Sequence, residues 1–221
     1  MTSGDPYIEW GWVTSHLDLI WIRLVNHLYL TAIAVSIGFV ISFAVALFAR
    51  RFRWSLGPAT ATAGIIYTIP SVALFALLVP IFGFSVLTAE VALVSYTLLI
   101  LIRNIVAGLE SVPDDVKEAA VGMGYSPAQV LWRVELPLAL PVIVAGLRIA
   151  TVTTIGLVTV TSLLGLSNLG QFILDGINRL FNTPLILGAV LSILLATATD
   201  ALLLLLQRLI TPWTRARSRT T

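Results

Sequence analysis

Five runs of this chain, near residues 24–49, 57–83, 88–109, 138–165 and 184–206, stay predominantly apolar over the length of a bilayer. A hydrocarbon core about 30 Å thick takes roughly 20 residues of helix. Inside it every backbone N–H and C=O must be satisfied within the protein, which leaves helices as the natural solution for runs of this length. The pattern therefore predicts an all-α, polytopic membrane protein with about five transmembrane helices. Composition agrees, with 58% of the 221 residues hydrophobic and 11% charged. The absence of cysteine excludes disulfide staples and thiolate metal sites, and a formal charge of +2 gives no reason to expect nucleic acid as a partner. The first run follows too long an N-terminal segment to be a cleaved signal.

Orientation follows from Lys and Arg in the short connections, because positive residues stay cytoplasmic. With the N-terminus outside, Arg50, Arg51, Arg53, Lys117, Arg133, Arg208, Arg215, Arg217 and Arg219 fall inside, and only Arg23 and Arg179 fall outside. That places the C-terminus in the cytoplasm. The expected organisation is an external or interfacial N-terminal helix over 1–23, a transmembrane domain over 24–207 and a cytoplasmic basic tail over 208–221. All six tryptophans lie outside the expected spans, where an indole N–H stays wet. The aromatics of YIEWGWVTSHLDLIWIRL suit an interfacial helix, or alternatively a cage for a cationic ligand.

Residues 118–141, EAAVGMGYSPAQVLWRVELPLALP, interrupt the apolar pattern between the third and fourth runs. Pro113, Asp114 and Asp115 suit a helix first turn, and Ser111 with Asp114 resembles a capping box. The first short helix is expected to fail at Gly122 and Gly124. Ser126, with Gln129 three residues on, restarts a second helix that is expected to end before Pro137. Small side chains at Ala119, Ala120, Gly122 and Gly124 let another surface approach the backbone. Two amphipathic helices lying on the membrane would also account for a loop of this length.

The spacing narrows this choice. Glu118, Ala119 and Ala120, then three residues, Gly124, nine residues, and Val134 with Leu136 and Pro137 resemble the coupling motif of membrane subunits in type I ABC importers. Val134 stands where that motif has Ile. The resemblance extends over roughly 25–207: YTIPSVALFALLVP and the stretch from Ile102 to Gly156 are similar to the permease branch for glycine betaine, choline, carnitine and related osmoprotectants. It implies a type I permease fold in a prokaryotic cell membrane. It also implies a cytoplasmic ABC ATPase dimer seated on the 110–137 coupling loop, a second permease copy or paralogue, and an external substrate-binding protein. No Walker A loop is present, so ATP and magnesium are expected on the partner ATPase and no cofactor on this chain. The segment LLGLSNLG, residues 163–170, departs from a glycine-rich family pattern at Leu166, Ser167 and Asn168. A permease for another small polar solute of the amino-acid type is the alternative reading.

Ionisable and polar groups within the runs are costly and face a cavity or a partner. Arg148 and Asp200 fall at comparable depth and suit an ion pair joining two helices; Arg148 lining a conduit is the alternative. Asn104, beside Arg103, lies near the inner end of the third run. Tyr67, Thr68, Pro70 and Ser71 form a proline break whose freed carbonyls either face a pathway or belong to a purely structural kink. Catalysis is not supported: His16 and His27 lie near the outer interface and no HExxH motif occurs, so no catalytic or metal-binding residue is assigned. A channel or secondary transporter remains as a rival class, but neither needs an ATPase-docking loop.

Overall fold

The computed structural model describes residues 7–213, and among these every regular element is helical. A six-residue helix α1 (Trp10–Ser15) leads into α2 (Leu17–Arg51), the first of four helices long and apolar enough to cross a membrane. Leu17–Arg23, expected in a separate N-terminal helix, are the first turns of α2. The second apolar run is divided between α3 (Leu56–Thr68) and α4 (Ser71–Phe82). Arg53–Thr68 and Ser71–Phe82 meet at 99°, so this run is a broken span or re-entrant pair where a kinked single helix was expected. Next come α5 (Val86–Glu110), the short α6 (Asp114–Gly122) and α7 (Pro127–Val130), then α8 (Leu136–Val160), α9 (Leu169–Arg179) and α10 (Asn182–Ile210).

The break at Pro70 has a simple cause. Proline disfavours a helical residue before it, and Ile69 is extended. The carbonyl this leaves without a helical partner accepts the hydroxyl of Tyr96 on α5. Pro80 stays inside α4.

Helix α5 is the centre of the bundle, with α2 on one side and α8 on the other. Near one end Ala46, Leu101, Ile105, Leu109, Ala139 and Ile143 form one buried cluster. Near the other, Leu30, Ala34, Phe75, Leu93 and Val158 form a second. Close approach of α5 to α8 depends on glycine, because a Cβ at Gly146 would collide with the Asn104 side chain and one at Gly108 would stand 3.1 Å from the Ala139 carbonyl. By contrast, only 6% of the most apolar part of α10 is covered by the rest of the chain. That helix needs lipid or another polypeptide against it.

The two ends of the bundle differ. At one end the N–H of Glu9 donates to Thr183 Oγ1 at 2.9 Å, and Arg23 pairs with Asp175 at 3.1 Å. The Arg23 guanidinium lies 4.1 Å from the centre of the Phe172 ring, while Trp12 meets Phe172 and Phe181 edge-on. The cation over Phe172 is thus the chain's own, and Trp10 and Trp21 are 70% and 66% exposed. At the other end Arg50, Arg53 and Lys117 line one cavity with Glu110 and Glu135. Arg215, Arg217 and Arg219 lie outside the described residues.

Replacing Gly146 with Ala forces a methyl into Asn104 and is expected to cost about 1–3 kcal/mol of stability. Gly156→Ala, where an added Cβ meets nothing within 4 Å, is expected to be neutral or stabilising. Thermal unfolding of the two solubilised variants checks the contrast.

Candidate functional site

The 110–137 segment is built from the residues that end and restart helices. Pro113 caps α6, with Asp114 and Asp115 in its first turn, where missing N–H groups cost nothing and carboxylates meet the positive end of the helix. Ser111 is not part of a capping box. Its hydroxyl donates back to the Gly108 carbonyl at 2.7 Å and so belongs to the end of α5. The first helix runs through Gly122 and is closed by a Schellman turn at Gly124, where φ is +87°. Tyr125 N–H donates to Ala120 O at 3.1 Å and Gly124 N–H to Val121 O at 2.9 Å, the paired bonds of that turn. The positive φ favours glycine at position 124 on backbone conformation alone, before any question of what approaches it.

Ser126 and Gln129 form the expected capping box, with bonds of 2.8 and 3.4 Å. The second helix does not end before Pro137. It passes through a single π turn, Leu131–Glu135, directly into α8, which begins at Leu136. In that turn Leu136 N–H reaches back to Leu131 O, so the hydrogen-bond ladder changes register beside Pro137, the residue with no N–H to give. Proline near the start of α8 therefore breaks nothing, and Pro127–Leu164 is continuous over 38 residues.

Glu118, Ala119, Gly122 and Gly124 are exposed, and an added Cβ at either glycine would meet open space. Exposed apolar side chains stand beside them: Val121 at 60%, Met123 at 69% and Trp132 at 59%. Ala120 and Leu136 face inward, and Pro137 is half-buried. Two residues that motif reasoning overlooked join this segment to the bundle. Glu135, buried in the π turn, accepts from Arg50 at the C-terminus of α2 at 2.6 Å. They flank a cavity of about 440 Å³ into which Arg53, Glu110 and Lys117 also project. In the sequence Arg50 counts only as one of several cytoplasmic positive charges. The 85-residue separation from Glu135 offers no local signal.

The residues singled out within the spans fall into separate places. Tyr67 meets Tyr96 edge-on, with ring centres 5.8 Å apart, next to Pro70 and Ser71 at the α3–α4 break. Asn104 fills the space left by Gly146 and donates to Ile100 O at 2.8 Å, so it packs α5 on α8. Arg148 and Asp200 form the expected pair, bidentate with both bonds at 2.8 Å. At the opposite end Asn168 is fully buried as the cap of α9. It accepts from Gly170 N–H at 2.8 Å and donates to Thr161 Oγ1 at 3.0 Å and Leu166 O at 3.1 Å. The departure at Asn168 is thus a helix cap, with its polar atoms already engaged. Ser167 is the exposed member of that trio. Among the described residues no group of three or more His, Cys, Asp or Glu could hold a metal ion.

Arg50→Ala leaves the buried Glu135 carboxylate unpaired and is expected to cost roughly 1–3 kcal/mol. Arg50→Ala with Glu135→Gln together should cost less than the sum of the single changes. Simple additivity in thermal unfolding would contradict the pairing.

The family described as the binding-protein-dependent transport system inner membrane component matches residues 38–212. The osmoprotectant import permease protein OsmW of Salmonella typhimurium is 39% identical over 85% of this chain and 89% of its own length. The glycine betaine/carnitine/choline transport system permease protein OpuCB of Bacillus subtilis is 33% identical over 85% of this chain and 86% of its own. A solved amino acid ABC transporter shares the fold, with a TM-score of 0.77 over 94% of this chain and 99% of its own, at 22% identity.

Proposed function

This chain belongs to the inner membrane components of binding-protein-dependent transport systems, and we propose that it forms the translocation pathway of an ATP-driven importer for a small osmoprotectant of the quaternary ammonium class. The substrate class is supported by its relatives, which carry osmoprotectants, glycine betaine, carnitine or choline in their names. The chain itself is read as non-catalytic: ATP and magnesium belong to a cytoplasmic ATPase dimer, and solute is delivered by an external binding protein. A second permease copy or paralogue covers the exposed faces of α10, α3 and α4. The end carrying Arg50, Arg51, Arg53 and Lys117 is assigned to the cytoplasm by its positive charge.

The observation that carries this reading is the continuous helix from Pro127, two residues beyond the turn at Gly124 and Tyr125, through the π turn and into α8. An ATPase closing on ATP can move a membrane subunit only through an element that does not yield. A Schellman turn, a capping box and a register shift that absorbs a proline make such an element out of a loop. The open space outside Gly122 and Gly124 and the exposed apolar Val121 and Met123 suit a groove on the partner. Glu118, also exposed, contributes a charge pair of about 0–1 kcal/mol at most.

Gly124→Asn separates the two demands on that position. Asparagine tolerates positive φ, so the turn should persist, but its side chain stands where the partner would seat. The variant, reconstituted with its ATPase and receptor, is expected to insert normally and to lose uptake, through failed assembly or ATP hydrolysis that no longer responds to substrate. Full uptake with normal coupling would remove this segment as the coupling site. Uptake by the unaltered complex that ignores every quaternary amine would remove the substrate class.

A further inference from the structure

The ion pair between Arg148 and Asp200 does more than join α8 to α10. Both residues lie well inside their helices, yet their side chains keep 23% and 36% exposure. An ionic pair at that depth does not face hydrocarbon, so this face of α8 and α10 is turned to water or to protein. Beside the pair runs an open groove of about 550 Å³, lined by Ala145, Ile149, Val152, Thr153, Ala196 and Thr197. Its walls are mainly apolar, and Arg148 and Asp200 are the charged groups that converge on it, the combination found in small-molecule sites. Gln207 holds the assembly in place: its Nε2 donates to Pro141 O at 3.0 Å, and its Oε1 stands 3.5 Å from an Arg148 nitrogen.

We propose that Arg148 and Asp200 form a subsite on the translocation pathway for zwitterionic ammonium carboxylates, the guanidinium taking the solute carboxylate and Asp200 facing its ammonium. This rests on the reading of the chain as an osmoprotectant permease. A solute carrying both charges exchanges one ion pair for two, so neither protein charge is stranded in the low-dielectric span. The planar guanidinium, already engaged in a bidentate bond with Asp200, offers the same fork to another carboxylate. A lone cation gains only Asp200 and meets the opposing field of Arg148. The groove therefore prefers glycine betaine or carnitine to choline, in addition to any preference of the external receptor.

The test uses the purified permease–ATPase complex without receptor, with glycine betaine and choline at millimolar concentration as probes and saturation-transfer NMR as the readout. Glycine betaine is expected to give the stronger transfer. Arg148→Gln with Asp200→Asn, which leaves no unpaired charge, should still bring down the ATPase and should lower the betaine-to-choline ratio by about tenfold. Equal transfer from both probes, no transfer from betaine, or an unchanged ratio in the neutral variant would overturn the subsite. A neutral variant that no longer assembles would overturn it as well, by giving the pair to a subunit contact. Uptake with the receptor is scored separately: quaternary-amine uptake without the NMR preference removes only the subsite, while absence of such uptake removes the underlying reading.

Discussion

A backbone in hydrocarbon cannot borrow hydrogen bonds from water, and the arrangement of this chain follows from that constraint. Regular helix satisfies it without help, so the points of interest are the places where helix stops. At Pro70 the freed carbonyl of Ile69 is taken by the Tyr96 hydroxyl. At Pro137 the ladder shifts by one residue in a π turn and the helix continues. Ahead of α9, Asn168 caps the new helix while its amide is spent on Thr161 and Leu166. Gly124 closes α6 with two carbonyls paired. Each interruption is stabilised by a specific neighbour, and so each one is rigid.

Rigidity at Pro137 matters most, because it joins the exposed segment at one end to a helix that runs the depth of the bundle. Arg50 and Glu135 fasten the same turn to α2, so α2 and α8 meet at the point where a force on α6 and α7 would arrive. Farther along α8, Gly146 and the facing Gly108 of α5 bring the two helices close, and Arg148 ties on α10. Three helices thus meet this path by different contacts, an ion pair, a glycine seam and a bidentate salt bridge, through which a displacement of the segment would pass.

Much of this was legible in the sequence. Apolar runs longer than a bilayer locate the spans, and Ser126 with Gln129 marks a helix start by chemistry that acts over three residues. The Arg148–Asp200 pair follows from depth alone, since a lone charge in a span has few other places to go. What escaped has a common cause: it depends on residues far apart in the chain. Pro70 marks a break locally, but neither the 99° between the two helices nor the Tyr96 hydroxyl that takes up the Ile69 carbonyl 27 residues away has a local signal. Proline before an apolar run reads as a stop signal, and only the register shift across Leu131–Glu135 turns Pro137 into a continuation. Ser111 resembled a cap because its offset from Asp114 was right, yet α5 had already claimed its hydroxyl. Glu135, one position before the Leu136–Pro137 dipeptide, carried no local mark of its bond to Arg50.

The central claim is that the segment around Gly124 and helix α8 move as one body when the ATPase closes. The chain has no cysteine, so paired spin labels at Ala128 and Gly156, both exposed, report that distance without background from this chain. Measured by pulsed dipolar spectroscopy in one labelled copy of the assembled importer, the Ala128–Gly156 distance should be the same in the ATP-free and ATP-bound states, while the distance between Ala128 positions in the two permease copies shifts. An Ala128–Gly156 distance that changes as much as the separation between copies would mean that the π turn bends, and the rigid connection proposed here would be wrong.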